Sequence, residues 1–201
     1  LLGAATEYFS IPADPQRRAA LIDQTRPDLL VLFAETVALS PDPAAAGRIA
    51  TVGCAPDPAT IRLDALAAAQ PAEPLPCRAR SGDLCVIVSS GGTTGVPKGS
   101  WRDFAAYTAM VAVPSAPDRR QLVNGHLAFL SQVLVDTTLL GGGSIVLRDS
   151  YAAADTLAAI EAERITDLFL VEPQLFELMD HPDLPRRDLS SLRALTHIGA
   201  S

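Results

Sequence analysis

Apolar residues along the chain fall into two rhythms. Short runs that are apolar on consecutive positions occur at Asp28–Phe33, Ile49–Val52, Leu84–Val88, Ser144–Leu147, Leu168–Val171 and Leu192–His197. Runs of this length predict strands, and continuous rather than alternating apolar character predicts burial on both faces. Leu1–Ile11 reads as a further strand end with its loop. Between these runs the apolar positions are spaced as on a helix. Asp14-Pro15 supplies an N-cap followed by proline in the first turn, Ala19, Leu21 and Ile22 form the stripe, and Pro27 stops it. Further helices are predicted over Thr60–Gln70 (Ile61, Leu63, Leu66), Arg102–Val113 (Phe104, Tyr107, Met110), His126–Leu140, Ala153–Arg164 (Leu157, Ile160) and from Pro173 onward (Leu175, Phe176, Leu178, Met179). Gly141-Gly142-Gly143 is a strong stop after His126–Leu140.

Prolines and polar residues punctuate the pattern at Pro41–Pro43, 71–82, Pro114–Arg120 and Pro182–Ser191. Strands alternating with helices predict βαβ units. The fold class is therefore α/β, a mainly parallel sheet with helices on both faces. Residues 1–82 form a first α/β portion and linker, and 83–201 a second portion.

Composition narrows the chemistry. A formal net charge of −7 across 201 residues, with no basic run interleaved with aromatics, argues against nucleic acid as a partner. The arginine pairs at 17–18, 119–120 and 186–187 read as solvated ends of helices and loops. Three cysteines, Cys54, Cys77 and Cys85, are odd in number and widely spaced, which fits neither a disulfide framework nor a zinc site. Free thiols of this kind fit a reducing, cytoplasmic setting. No apolar run reaches the ~18 residues needed for a membrane-spanning helix, and Leu1–Ser10 lacks the basic start of a signal peptide.

One stretch stands apart. The strand Leu84–Val88 empties into Ser89-Ser90-Gly91-Gly92-Thr93-Thr94-Gly95-Val96-Pro97-Lys98-Gly99. Hydroxyls, permissive glycines and one mobile cation suit a polyanion: amides and hydroxyls donate to phosphate oxygens while the ammonium offsets charge. Three familiar loops are excluded. A Walker loop needs Gly-Lys followed by Ser or Thr, yet here Pro97 precedes Lys98 and Gly99 follows it. The dinucleotide glycine spacing fails because Thr93 and Thr94 separate Gly92 from Gly95. A serine-hydrolase elbow needs glycine two residues before the nucleophile, where Ser89 and Ser90 have Ile87 and Val88.

Residues 91–99 instead resemble the signature loop of the adenylate-forming superfamily: acyl-CoA synthetases, luciferases and adenylation domains of peptide synthetases. The order downstream is also similar to that family, from His126 through the apolar helix, Ser144-Ile145-Val146-Leu147 and Arg164-Ile165-Thr166 to Val171-Glu172-Pro173. The resemblance implies that Ser89, Ser90, Gly91, Gly92, Thr93, Thr94, Gly95 and Lys98 bind ATP phosphates. It places His126 near the acyl pocket, although Val123-Asn124-Gly125 stand where the family has Pro-Leu-Phe. From the residues alone, His126 reads as well as the first residue of a helix. Leu192–Ala200 is similar to the family's Leu-Arg … Gly-Gly-Ala stretch, with Ile198 in place of the first glycine, which implies adenine binding by Gly199, Ala200 and Ser201.

The family's aromatic-Gly-x-Thr-Glu segment, its ribose-binding Asp and the catalytic Lys of its small C-terminal domain would fall after Ser201. The resemblance thus implies a central part of the ATP-binding domain, without a catalytic residue or metal ligand of its own and inactive alone. It also implies ATP with Mg2+, a hydrophobic fatty or aromatic carboxylic acid, and coenzyme A as thiol acceptor. The alternatives are an acyl-AMP ligase that loads a carrier protein, and a non-catalytic nucleotide-binding module.

Overall fold

The computed structural model describes residues 4–7, 14–39, 48–89, 99–125, 127 and 130–198. The expected break at Pro41–Pro43, the loop residues Ser90–Lys98, His126 and Gly199–Ser201 lie outside the described residues. The chain divides into two compact units.

The first strand, β1 (Thr6–Glu7), belongs to the larger unit. The smaller unit then begins with α1 (Pro15–Thr25). Asp14 Oδ1 accepts the Gln16 N–H at 2.9 Å, Pro15 sits in the first turn, and Arg26 ends the helix in the left-handed region at φ 44°. Buried Ile22 of this helix packs with Leu30, Leu32 and Ile49. Leu30 and Leu32 come from β2 (Leu30–Phe33), which runs parallel to β3 (Ile49–Val52).

The helix expected over Thr60–Gln70 is shorter than its pattern. Ile61–Arg62 instead form β4, a strand parallel to β3 through Ala50 and Thr51, and α2 spans only Leu63–Ala68. Backbone pairing to β3 outweighs helix propensity at β-branched Ile61. No residue of α2 is buried and Leu66 is exposed, so the expected apolar set is not a core stripe.

In the larger unit, β5 (Leu84–Ser89) lies between β1 and β6 (Gly99–Asp103). The helix expected from Arg102 starts two residues later, as α3 (Phe104–Val111), because Asp103 is its N-cap: Oδ1 accepts the Ala106 N–H at 2.7 Å. Next comes a strand that the apolar pattern does not predict, β7 (Arg120–Asn124). It is followed by α4 (Leu130–Leu140), β8 (Ser144–Arg148), α5 (Ala153–Ala162), β9 (Asp167–Val171), α6 (Glu172–Met179) and β10 (Ala194–Ile198).

β7 is central to a four-stranded parallel sheet of order β10-β9-β7-β8. Leu122 of β7 joins Leu168 and Leu170 of β9 in a core with Leu157 and Ile160 of α5 and Leu178 of α6. Successive strand residues point to opposite faces, so Gln121 and Val123, both buried, face the side on which α4 packs against β7 and β8. Helices therefore cover both faces, as the βαβ pattern predicts.

The register of β7 against β9 is fixed by polar groups. Arg119 is not a solvated arginine, contrary to expectation. Its guanidinium donates to Gln121 Oε1 at 2.7 Å and meets Asp167 at 3.3 Å, and its side chain is only 17% exposed. Thr166 Oγ1 donates to Asp167 Oδ2 at 2.6 Å and accepts the Arg120 N–H at 2.8 Å. A one-residue slip would carry the Gln121 and Asp167 side chains to the wrong face.

Candidate functional site

The serine- and glycine-rich loop joins two neighbouring strands. Its entry is β5, the middle strand of its sheet, and its exit is β6 beside it. Ser89 is the last residue of β5, while Ser90, Gly91, Gly92, Thr93, Thr94, Gly95 and Lys98 lie outside the described residues. What the structure shows is the anchor. Val86 of β5 is 1% exposed and packs with Tyr107 and Val111 of α3, with Cys85, Val88, Met110 and Val133 around them. The chain entering β5 is also bonded to the chain leaving β6. Phe104 N–H donates to the Asp83 carbonyl at 3.0 Å, and Ala105 N–H to the Ser81 carbonyl at 2.9 Å. A short glycine-rich segment thus springs from a packed, hydrogen-bonded base.

The remaining predicted residues are attached to the four-stranded sheet of the larger unit. Gly125 follows β7 at φ +86°, a conformation that favours glycine, and its N–H donates to the Arg148 carbonyl at 2.8 Å. His126 follows directly. Ile198 ends β10, and Gly199 follows it. Because β7, β9 and β10 are parallel, both departures are at the carboxyl ends of the strands. Only β9 separates them, a distance of about 10 Å at ~4.8 Å per strand. The chain goes from β7 to β8 on one side and then to β9 on the other, so strand order reverses around β7. Crevices at such reversals, outside the carboxyl ends, are where open α/β sheets bind ligands. The structure therefore brings the attachment points of His126 and of Gly199, Ala200 and Ser201 to one edge; the residues themselves lie outside the described set.

Two groups near the loop's base escaped the sequence reading. Asp103 caps α3 at the loop's exit, and Tyr107 Oη donates to Asp136 Oδ2 of α4 at 2.5 Å. The first had a local signal, an Asp just before an apolar run. The second had none, since its partners are 29 residues apart in sequence. Burial raises the pKa of the Cys85 thiol, and the carboxylates of Asp136 and Asp103 raise it further, so the thiol stays protonated. Among the described residues no three His, Cys, Asp or Glu side chains come together to hold a metal ion. No helix among them is long and apolar enough to cross a membrane.

Comparison with known proteins gives the family. Residues 3–201 match the AMP-binding enzyme family. The medium/long-chain-fatty-acid–CoA ligase FadD8 of Mycobacterium tuberculosis is 32% identical over 163 residues, covering 77% of this chain and 28% of the relative. Pyochelin synthase PchD of Pseudomonas aeruginosa is 34% identical over 148 residues, covering 69% of this chain and 27% of the relative. The crystal structure of a Brucella canis acyl-CoA synthetase superposes with a TM-score of 0.81 at 21% identity, over 98% of this chain and 38% of that one, which establishes the shared fold. The chain belongs to the AMP-binding enzyme family of adenylate-forming proteins. It spans roughly a quarter of the length of the curated relatives it matches.

Proposed function

We propose that the intact protein is a carboxylate-activating ligase, of which these residues form the central part of the ATP-binding domain. In the first half-reaction a carboxylate oxygen attacks the α-phosphorus of ATP, taken as its magnesium complex, and pyrophosphate leaves, giving an acyl-adenylate. In the second, the thiol of coenzyme A attacks the acyl carbon and AMP leaves. Little covalent work falls to this chain; its groups position phosphates and offset charge. Ser89, Ser90, Thr93 and Thr94 donate hydroxyl hydrogen bonds to the β- and γ-oxygens. Gly91, Gly92 and Gly95 let backbone N–H groups approach, and Lys98 offsets charge on the departing pyrophosphate. His126 lies on the acid side, and Gly199, Ala200 and Ser201 lie along adenine.

The observation that carries this reading is the Gly-Gly-Thr-Thr-Gly-Val-Pro-Lys-Gly sequence at 91–99, strung between two adjacent strands of one sheet. The apolar segment after His126 favours a hydrophobic acid, fatty or aromatic, and the fatty-acid relative supports that choice. A second acceptor, the thiol of a carrier protein, is favoured by the similarity to pyochelin synthase. ATP–pyrophosphate exchange by the intact protein, across a panel of acids including octanoate, tests the activation step. Acid-dependent exchange is the expected result. Exchange with no carboxylic acid would leave a nucleotide-binding module without ligase activity. Thioester formation with coenzyme A but not with a phosphopantetheinylated carrier then identifies the acceptor.

A further inference from the structure

The connection from α6 to β10, residues 180–193, is tied down by charge more than by burial. At its start the Leu184 N–H donates to the His181 carbonyl at 3.0 Å, and the Asp183 N–H to His181 Nδ1 at 3.2 Å. At its end the Arg193 and Ala194 N–H groups donate to the Thr166 carbonyl at 2.8 and 3.1 Å, and the Arg193 guanidinium grips Asp118. Between these two hinges the chain is held to the end of α5. One carboxylate oxygen of Glu161 accepts from Arg187 Nη1 at 2.9 Å, and the other accepts the Asp188 N–H at 3.1 Å. Just past the helix, Arg164 Nη1 donates to Asp188 Oδ2 at 2.9 Å. Arg164 sits at φ 52°, in the left-handed region that favours glycine. An arginine there keeps a hold on the connection that glycine lacks.

Apolar packing contributes less. Leu184, Leu189 and Leu192 touch the core beneath but are only partly buried, and no residue of 180–193 is fully buried. The fully buried residues of that core come from β7, α5, β9 and α6, with Ile165 between α5 and β9. Lifting the connection away would leave all of them in place. Segments with few buried apolar contacts and exposed hydrogen bonds are the ones that open locally.

We propose that residues 180–193 are a latched strap, which opens in its middle while the sheet and its core stay folded. Glu161 and Arg164 are the latch. The device is independent of the ligase reading.

Hydrogen exchange in the intact protein tests it. The reporters are the Ser190 N–H, bonded to Asp188 Oδ1, and the Leu192 N–H, bonded to the Leu189 carbonyl; both bonds lie within the strap. Glu161→Ala and Arg164→Gly should each speed exchange at these amides by about threefold or more, since each removes charged contacts from the closed strap alone. Amides of α5 and β9 should keep their wild-type rates. Arg164→Gly also relaxes the backbone, so its melting temperature should not fall. Glu163→Ala is the control: it removes an ion pair of similar exposure, to Arg120, that does not touch the strap, and should leave the reporters unchanged. Reporter rates unmoved by both latch variants would overturn the proposal. So would α5 and β9 amides speeding by the same factor, or an equal rise in Glu163→Ala, because the strap would then open only as the whole unit loosens.

Discussion

Gly143 shows how much one absent methyl group can matter. It lies between α4 and β8, and a Cβ built there would stand 2.7 Å from the Arg119 carbonyl oxygen and 2.8 Å from Thr138 Cγ2. The Arg119 carbonyl cannot move freely, because it already accepts the Ser144 N–H at 2.8 Å and holds β8 against the start of β7. Gly143→Ala should therefore destabilise the protein by about 1–3 kcal/mol, the usual cost of overpacking. Gly82 is the control: nothing lies within 4 Å of its Cβ position, and Gly82→Ala should stay within about 0.5 kcal/mol of wild type. Urea unfolding midpoints distinguish the two; equal midpoints would mean that α4 and β8 can part without cost. The glycine cluster was readable as a helix stop, but not as a place of close approach. That property depends on Arg119, which is distant in sequence and adjacent only once β7 has formed.

At the scale of elements, the apolar pattern worked where a strand or helix is apolar on its buried side. Ile49–Val52 and the helix opened by Asp14-Pro15 came out as read. It failed where burial is polar. β7 reads Arg-Gln-Leu-Val-Asn, yet Gln121 is 1% exposed and satisfied by Arg119 and by the Leu122 carbonyl. Its polar residues hide the central strand of the four-stranded sheet from any hydropathy argument. The helix α4 errs in the opposite sense: it buries Ser131, Thr137 and Thr138 and leaves Leu139 and Leu140 exposed. Thr138 is accommodated because its hydroxyl donates to the Leu134 carbonyl at 2.7 Å. The short strand β6 and its junction with α3 were also unread, and Asp103 is what separates them. Asp103→Ala should cost about 1 kcal/mol by leaving the Ala106 N–H without its cap, and Asp103→Asn should be close to neutral. A loss no greater in the alanine variant than in the asparagine variant would show that the loop's exit does not depend on this cap.

Across the whole molecule, the candidate site is legible in residues and the scaffold in elements, but the link between them needed coordinates. The candidate phosphate loop was recognisable from nine consecutive residues, 91–99. That its two ends sit on adjacent strands, and that His126 and Gly199 depart from the same edge of a second sheet, follows only from strand order. Sequence separation conceals such relations: Arg193, beside β10, pairs with Asp118, beside β7, across the sheet at 3.0 Å. These two positions are 75 residues apart. The proposed ligand is a nucleoside triphosphate whose terminal phosphates rest on the loop between β5 and β6. The most direct test is a crystal structure of the intact protein with ATP. The β- and γ-phosphate oxygens should lie within about 3 Å of the Thr93 and Thr94 hydroxyls and the Lys98 ammonium. Terminal phosphates bound elsewhere, with those three side chains turned to solvent, would contradict the account.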